Sequence, residues 1–302
     1  MTKNKFNQVV GKLLKSEFNR NVLTLMTGTT IAQAIPIAIT PILTRIYTPE
    51  DFGVFALFMA IASIFGTIVN GRYELAIMLS RKDEDAINIF ALGFIITFVI
   101  SLILLILVLV FNNYFVNLLD SKEIGAWLFF IPISVFLIGL WQLLNYYNIR
   151  KKQYKDIAKA TIIKTIVLST VQLSIGLIKS GVTGLISGQI ISQLVANTKL
   201  LSNIIKDKVL ISKISKKKII SLAKKYRDFP KHDAPAAITN TAASELPLIL
   251  LPKLFGLAMS GYFFLAHKMI GIPSALIGKS ISEVFFQEMS VKKNMRFKCW
   301  PF

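Results

Sequence analysis

Residues 86–111 read AINIFALGFIITFVISLILLILVLVF, 26 residues without a single charge. A helix needs roughly 20 mostly apolar residues to cross ~30 Å of hydrocarbon, so this block is long enough to span a bilayer. Outward from it, uncharged runs recur at Asn21 to Thr44, Phe52 to Gly71, Ile124 to Ile149 and Ser180 to Thr198, and Lys164 alone interrupts a run from Ala160 to Ile178. Two weaker spans come after these six: Ala234 to Pro252, broken by Glu245, and Leu254 to Gly278, broken by His267 and Lys268. Backbone groups in lipid must find partners within the protein. Long unbroken blocks, rather than roughly ten-residue segments of alternating polarity, select helices over a barrel. With a mean hydropathy of +0.60, the sequence predicts an all-α, polytopic membrane helix bundle.

The net charge of +19 would suggest a nucleic-acid partner in a water-soluble chain. Here its distribution gives it another meaning. With the N-terminus cytoplasmic, segments 1–20, 72–85, 148–159, 206–233 and 279–302 lie inside and hold 28 of the 35 Lys and Arg, whereas the outside turns hold only Arg45, Lys122, Lys179 and Lys253. That asymmetry satisfies the positive-inside rule, and no nucleic-acid partner is expected. Segment 1–20 is too polar for a signal peptide, and Phe6, Val9, Val10, Leu13, Leu14 and Phe18 recur at helical spacing among lysines, as in a helix lying on the inner leaflet. The lone cysteine, Cys299, excludes an intramolecular disulfide.

The longest polar stretch, Lys206 to Asp233, carries ten Lys and Arg and separates two unequal parts. Within it Ile219, Leu222, Ala223, Tyr226 and Phe229 mark an amphipathic helix expected to lie against the membrane. Beyond this connector the chain repeats the pattern of its start. Pro36 and Pro41, then Gly53-Val54-Phe55 and Gly71-Arg72, match Pro247 and Pro252, then Gly261-Tyr262-Phe263 and Gly278-Lys279. Half-molecule repeats of this kind typify transporters with a site between the halves. The expected organisation is an amphipathic segment 1–20, a six-helix lobe 21–205, a basic connector 206–233, the first hairpin of a second lobe 234–282 and a cytoplasmic tail 283–302. Prolines within spans one and seven, Pro36, Pro41, Pro247 and Pro252, would bend those helices where they line a cavity.

Polar side chains fall on single helical faces: Thr29, Gln33, Thr40 and Thr44 in the first span, Thr161, Thr165, Ser169 and Gln172 in the fifth, Gln189, Gln193 and Asn197 in the sixth. Interhelical hydrogen bonding and a hydrated cavity explain such faces equally well. Ionisable residues within spans are costly, which marks Arg45, Lys164, Glu245 and Lys268, with Gln33 and Gln193, as candidates for lining a substrate cavity. Snorkelling is the plain alternative for Arg45 and Lys164, an ion pair for Glu245 and Lys268, and a satisfied core position for His267. Asp83-Glu84-Asp85 fits a metal-binding D-x-D only in form, and reads as a solvated charged turn. Residues 271–280, GIPSALIGKS, lack the strand, phosphate loop and soluble domain of an ATP site. No cofactor, metal or catalytic residue is expected.

The stretch Arg45-Ile46-Tyr47-Thr48-Pro49-Glu50-Asp51-Phe52-Gly53-Val54-Phe55 comes after Gly28-Thr29-Thr30-Ile31-Ala32-Gln33 and precedes Gly71-Arg72-Tyr73-Glu74-Leu75-Ala76. In it the sequence resembles the Wzx-type polysaccharide flippases, over about residues 1 to 290. The resemblance implies the fold shared with multidrug exporters, two six-helix lobes around a cavity opening alternately to either side of the cytoplasmic membrane. It also implies translocation of undecaprenyl-pyrophosphate-linked oligosaccharide repeat units, with membrane lipids and other polysaccharide assembly proteins as further partners. A cation-coupled multidrug exporter of the same fold would offer acidic residues in the first lobe, yet spans one to six contain no Asp or Glu. A membrane glycosyltransferase or polymerase would need larger outside loops than Asn112 to Glu123. Spans seven and eight match only the first hairpin of the first lobe, and a basic tail lies beyond Ser290. An incomplete copy lacking four helices is therefore expected, with a short variant completed by dimerisation as the alternative.

The charge distribution sets a topology test with single cysteines at Asn117 and Ser215 in a Cys299→Ser background. In intact cells a membrane-impermeant thiol reagent should label position 117 and spare position 215. The reverse pattern would overturn the orientation.

Overall fold

The computed structural model describes residues 17–179, 181–271, 282, 285 and 286, so the expectations for 1–16 and for nearly all of the tail lie outside the described residues. Every regular element among the described residues is helical. The six spans of the first lobe become α1 (Glu17–Ile46), α2 (Pro49–Ile68), α4 (Asp83–Leu119), α6 (Ile131–Arg150), α7 (Tyr154–Ile178) and α8 (Thr183–Ile205), with short α3 (Tyr73–Leu79) and α5 (Gly125–Leu128) in the turns. The connector holds α9 (Lys208–Ile211), α10 (Lys216–Lys225) and a π-helical turn, Phe229–Asp233, leading directly into α11 (Ala234–Phe255). A further helix, α12, covers 257–271. Leu23–Ile46, Pro49–Ile68, Asp83–Leu119 and Tyr154–Ile178 are long and apolar enough to cross a membrane. Helices α6, α8 and α11 match them in length without joining that set, and α6 and α8 bury several polar side chains.

Helices outrun the apolar blocks that announce them, because hydropathy marks the segment in lipid and not the end of the hydrogen-bond ladder. Residues 112–123, expected as an outside loop, are largely helical. Helix α4 leaves helical geometry briefly at Phe111 (φ −112°, ψ 19°), then runs on to Leu119 and ends at Asp120 in the left-handed region (φ 50°). Along its lipid-crossing part Phe98, Ile106, Leu109 and Val110 are all more than half exposed. Such a stripe is unfavourable in water and costs nothing against acyl chains.

Two apolar cores fill the lobe. One, around Ile77, Ile87, Leu143, Leu144 and Leu200, lies toward Arg72. The other, around Leu57, Phe58, Val135, Leu185 and Ile186, lies toward Tyr47. The connector docks on the first core. Leu222 is buried in it, and Ile219, Ala223, Tyr226 and Phe229 pack against it, so the apolar face expected to rest on the membrane rests on the lobe instead. Protein supplies partners that lipid lacks. The Tyr73 hydroxyl donates to the Ala223 carbonyl at 3.1 Å, the Ser215 amide donates to Asn88 Oδ1 at 2.8 Å, and Glu84 accepts from Lys218 at 2.8 Å and from Lys213. Asp83 meets Arg150 at 3.1 Å and Lys151 at 2.6 Å. The acidic triplet thus fastens the connector and α6 to the start of α4, and among the described residues no group of His, Cys, Asp and Glu is arranged to hold a metal.

At the opposite end, Tyr47-Thr48-Pro49-Glu50-Asp51 forms a corner whose sequence dictates its geometry. Thr48 caps α2, its hydroxyl accepting from the Asp51 amide (3.2 Å) while the Asp51 carboxylate accepts from the Thr48 amide (3.0 Å), and Pro49 occupies the first turn, where no amide donor is needed. Tyr47 is 3% exposed and donates to the Gln172 carbonyl at 2.6 Å. Burial, aided by Asp51, pushes its hydroxyl up to about 12, which keeps it a donor at any physiological pH. Its ring fits between α7 and α8 only because Gly176 and Gly184 lie there, where added Cβ atoms would fall 2.6 and 2.0 Å from the tyrosine oxygen. Thr48→Ala should destabilise the protein by about 1 kcal/mol through loss of the cap, and Gly184→Val by more. Thermal unfolding in detergent, with Thr48→Ser as the neutral control, checks the order.

Candidate functional site

The contact between the lobe and the start of its repeat runs along α2 and α11, and its chemistry changes with depth. At one end the Arg72 Nε donates to Asp233 at 2.6 Å, and farther along α2 the Thr67 and Thr241 hydroxyls meet at 3.1 Å. Ser63 then reaches Glu245, with His267 nearby. Beyond that, Ala56 and Ala60 pack against Leu248. The seam finishes at two glycines. A Cβ on Gly53 would stand 2.1 Å from the Leu257 carbonyl oxygen, and one on Gly261 would stand 2.0 Å from the Pro49 carbonyl oxygen and 3.0 Å from the Gly53 amide nitrogen. The sequence repeat pairs Gly53 with Gly261, and the fold sets these matched residues against each other. A two-fold relation between repeats gives that reciprocity.

The candidate residues fall into separate groups rather than one cluster. Arg45 is exposed in the last turn of α1, and Gln33 is half-buried on the same helix. Lys164, also half-buried, places its ammonium 5.4 Å from the centre of the Trp141 ring, a cation–π contact across α7 and α6. Gln193 is 3% exposed, its Nε2 lacks a hydrogen-bond partner, and with Ser134 and Gln189 it lines a small cavity between α2, α6 and α8. Glu245 sits in the seam. Lys268 is exposed and lies over Phe264 at 5.9 Å, so the alternative of an ion pair with Glu245 gives way to a ring contact for the lysine and to Ser63 for the carboxylate. His267, expected in a core, is exposed and stacks on Phe263 with ring centres 5.9 Å apart.

Many hydroxyls of the polar faces turn back on their own helices: Thr29 to Leu25, Thr161 to Ile157, Thr165 to Ile162. Thr40 and Thr44 donate to the carbonyls of Pro36 and Pro41 at 2.6 and 3.1 Å, and α1 runs unbroken through both prolines, as α11 does through Pro247 and Pro252. Away from the α2–α11 seam, amide side chains supply interhelical bonds. Asn197 donates to the Leu137 carbonyl (2.9 Å), Asn70 to the Gly139 carbonyl (3.1 Å) and Gln142 (2.9 Å), and Asn203 to Asn148 (2.8 Å). Asn70, Asn148 and Glu74 were not singled out by sequence reasoning. The available signal was a polar residue at the end of an apolar run, which looks the same for a solvated turn.

A family model described as polysaccharide biosynthesis protein matches residues 42–298. The chain belongs to that polysaccharide biosynthesis protein family, and its fold is an all-α, polytopic membrane helix bundle. No curated protein matches the sequence. Among solved structures, one titled "protein A" superposes with a TM-score of 0.69 at 15% identity, over 92% of this chain and 65% of that one. The likeness is one of fold, and this chain spans about two thirds of that protein's length.

The seam is open to a cross-linking test in a Cys299→Ser background. Cysteines replacing Thr67 and Thr241 should form a disulfide under mild oxidation, and the pair Thr67→Cys with Thr239→Cys should not. Equal cross-linking of both pairs would contradict the register of α2 on α11.

Proposed function

We propose that the protein is a flippase, carrying undecaprenyl-pyrophosphate-linked oligosaccharide repeat units across the cytoplasmic membrane for surface polysaccharide such as O-antigen, capsule or exopolysaccharide. The observation that carries this reading is the family match to polysaccharide biosynthesis across residues 42–298 of a chain built from membrane-length helices. A polysaccharide pathway needs such a step because pyrophosphate and sugars cannot enter hydrocarbon unaided, whereas the polyprenyl tail stays in lipid throughout. Transport of this kind requires binding surfaces and movement, with no bond made or broken, so the protein acts without catalytic residues or cofactors.

Cations at different depths suit a diphosphate. In this reading Arg45, Lys164 and Lys268 neutralise its charge in turn, Trp141 beside Lys164 offers a ring on which a sugar stacks, and Gln33 and Gln193 replace sugar hydration. Glu245 governs the seam, and Pro36, Pro41, Pro247 and Pro252 let α1 and α11 bend as the lobes rock. The N-terminus and connector lie on the cytoplasmic side, and other polysaccharide assembly proteins receive the product.

In the full-length protein, Lys268→Ala and Arg45→Ala should each lower surface polysaccharide about tenfold or more at unchanged protein level, the loss of one charge-assisted contact to phosphate being worth about 1.5–3 kcal/mol. Lys268→Arg should retain part of the activity. Quantifying surface polysaccharide alongside immunoblots checks this. Normal export by both alanine variants would overturn the site assignment.

A further inference from the structure

At the Arg72 end of the seam one guanidinium serves two carboxylates. The chain turns there through two consecutive left-handed residues, Gly71 (φ 59°) and Arg72 (φ 60°), which aims the arginine back across the turn. Its Nε donates to Asp233 at 2.6 Å, and its Nη1 lies 3.3 Å from Glu74 Oε1. The two acids sit in different surroundings. The Asp233 side chain is 43% exposed and belongs to the π-helical turn that starts α11, while Glu74 is 1% exposed in α3 and its Oε2 is buried without a hydrogen-bond partner. With all three groups ionised the cluster carries a net negative charge in a place that solvates it poorly, and one proton relieves that charge.

We infer that Glu74 is a proton-binding site on the side of the protein that holds the connector, and that its occupancy sets how firmly the start of α11 is tied to the lobe through Arg72 and Asp233. Docking of Asp233 brings a second negative charge toward Glu74 and competes for Arg72, its ion-pair partner among the described residues. Either effect favours the protonated carboxyl, so docking takes up a proton. Burial pushes Glu74 up to about 7, with the Arg72 guanidinium pulling the other way and Asp233 adding to the rise. The docked state has the higher carboxyl pKa, so by linkage docking is favoured below about pH 7 and weakens as pH rises through it.

The groups that act on Glu74 are the Arg72 guanidinium, the backbone amide of Glu74 itself, Asp233 and the Asn70 side chain. The far end of α3 is held separately, by Arg150, which donates to the Ile77 and Ser80 carbonyls and pairs with Asp83. His232 is exposed beside Asp233. The site does not depend on what the protein carries. It places a proton sensor at the joint where the second lobe begins, and a failure of the flippase reading would leave it standing.

The test uses the whole chain in lipid nanodiscs, titrated from about pH 5.5 to about 8.5, with two readouts. Infrared difference spectroscopy should show a protonated-carboxyl band titrating near pH 7 in the wild type and missing in Glu74→Gln. Amide exchange over residues 231–240, corrected for its intrinsic pH dependence, should be slower by about tenfold at the acid end in the wild type. In Glu74→Gln, which mimics the neutral acid, it should be slow throughout, and His232→Gln should behave as the wild type. Asp233→Asn should move the carboxyl midpoint down by about one pH unit. A band that survives Glu74→Gln, or exchange in the wild type that does not respond to pH, would overturn the assignment.

Discussion

Hydrocarbon offers no partner to a polar group, and the whole arrangement of this chain stems from that constraint. Backbone polarity is closed within helices, and threonine hydroxyls fold back onto carbonyls of the preceding turn. Side chains that need more than one partner gather where helices meet or at the ends of the bundle. Asn70 illustrates the first case, joining the turn after α2 to Gly139 and Gln142 of α6 and to Thr97 of α4. The Tyr47 corner and the Arg72 turn illustrate the second. Each sits at one end of α2, and each gives that helix a fixed attachment: a cap and a buried tyrosine at one end, an arginine bridging to the connector at the other.

Helix α2 consequently belongs to both parts of the molecule. It is buried in the first lobe through Leu57 and Phe58, and along another face it meets α11 and α12. That seam is graded, from an ion pair through hydroxyls and a carboxylate to close-packed alanines and glycines. Small residues at one end permit close backbone approach without a specific bond, whereas charged groups at the other end exchange partners readily. A joint built this way can loosen at the charged end while the glycine crossing holds, which is the kind of motion that rocking lobes require.

The lipid-crossing helices were legible from sequence because membrane thickness imposes a length that hydropathy records directly. Their ends were not, since α4 continues beyond Phe111 with Phe115, Val116 and Leu119 packed against the core near Tyr47. The connector's apolar face was read correctly as a face but assigned to lipid, because Leu222 and Ile219 would be equally satisfied by bilayer or protein. Only Glu84, Asn88 and Tyr73, distant in sequence, decide between them. The repeat was visible as Gly53 and Gly261, and its meaning emerged when the fold placed them in contact. Glu74 is inconspicuous in the sequence, since its isolation from water depends on α4, α6 and the connector arriving from elsewhere. Asp83-Glu84-Asp85 shows the reverse, a motif with a chemical look whose carboxylates bind lysines and an arginine. The candidate cations were legible as expensive residues, but their distribution along the bundle was not.

The reading as a flippase is tested most directly by the sidedness of lipid-linked sugar after the gene is deleted. The account predicts that repeat units on polyprenyl pyrophosphate accumulate and, in intact spheroplasts, stay protected from an impermeant lectin or periodate, becoming reactive once the membrane is permeabilised. Repeat units that remain reactive from outside in the deletion strain, with surface polysaccharide at its normal level, would contradict it.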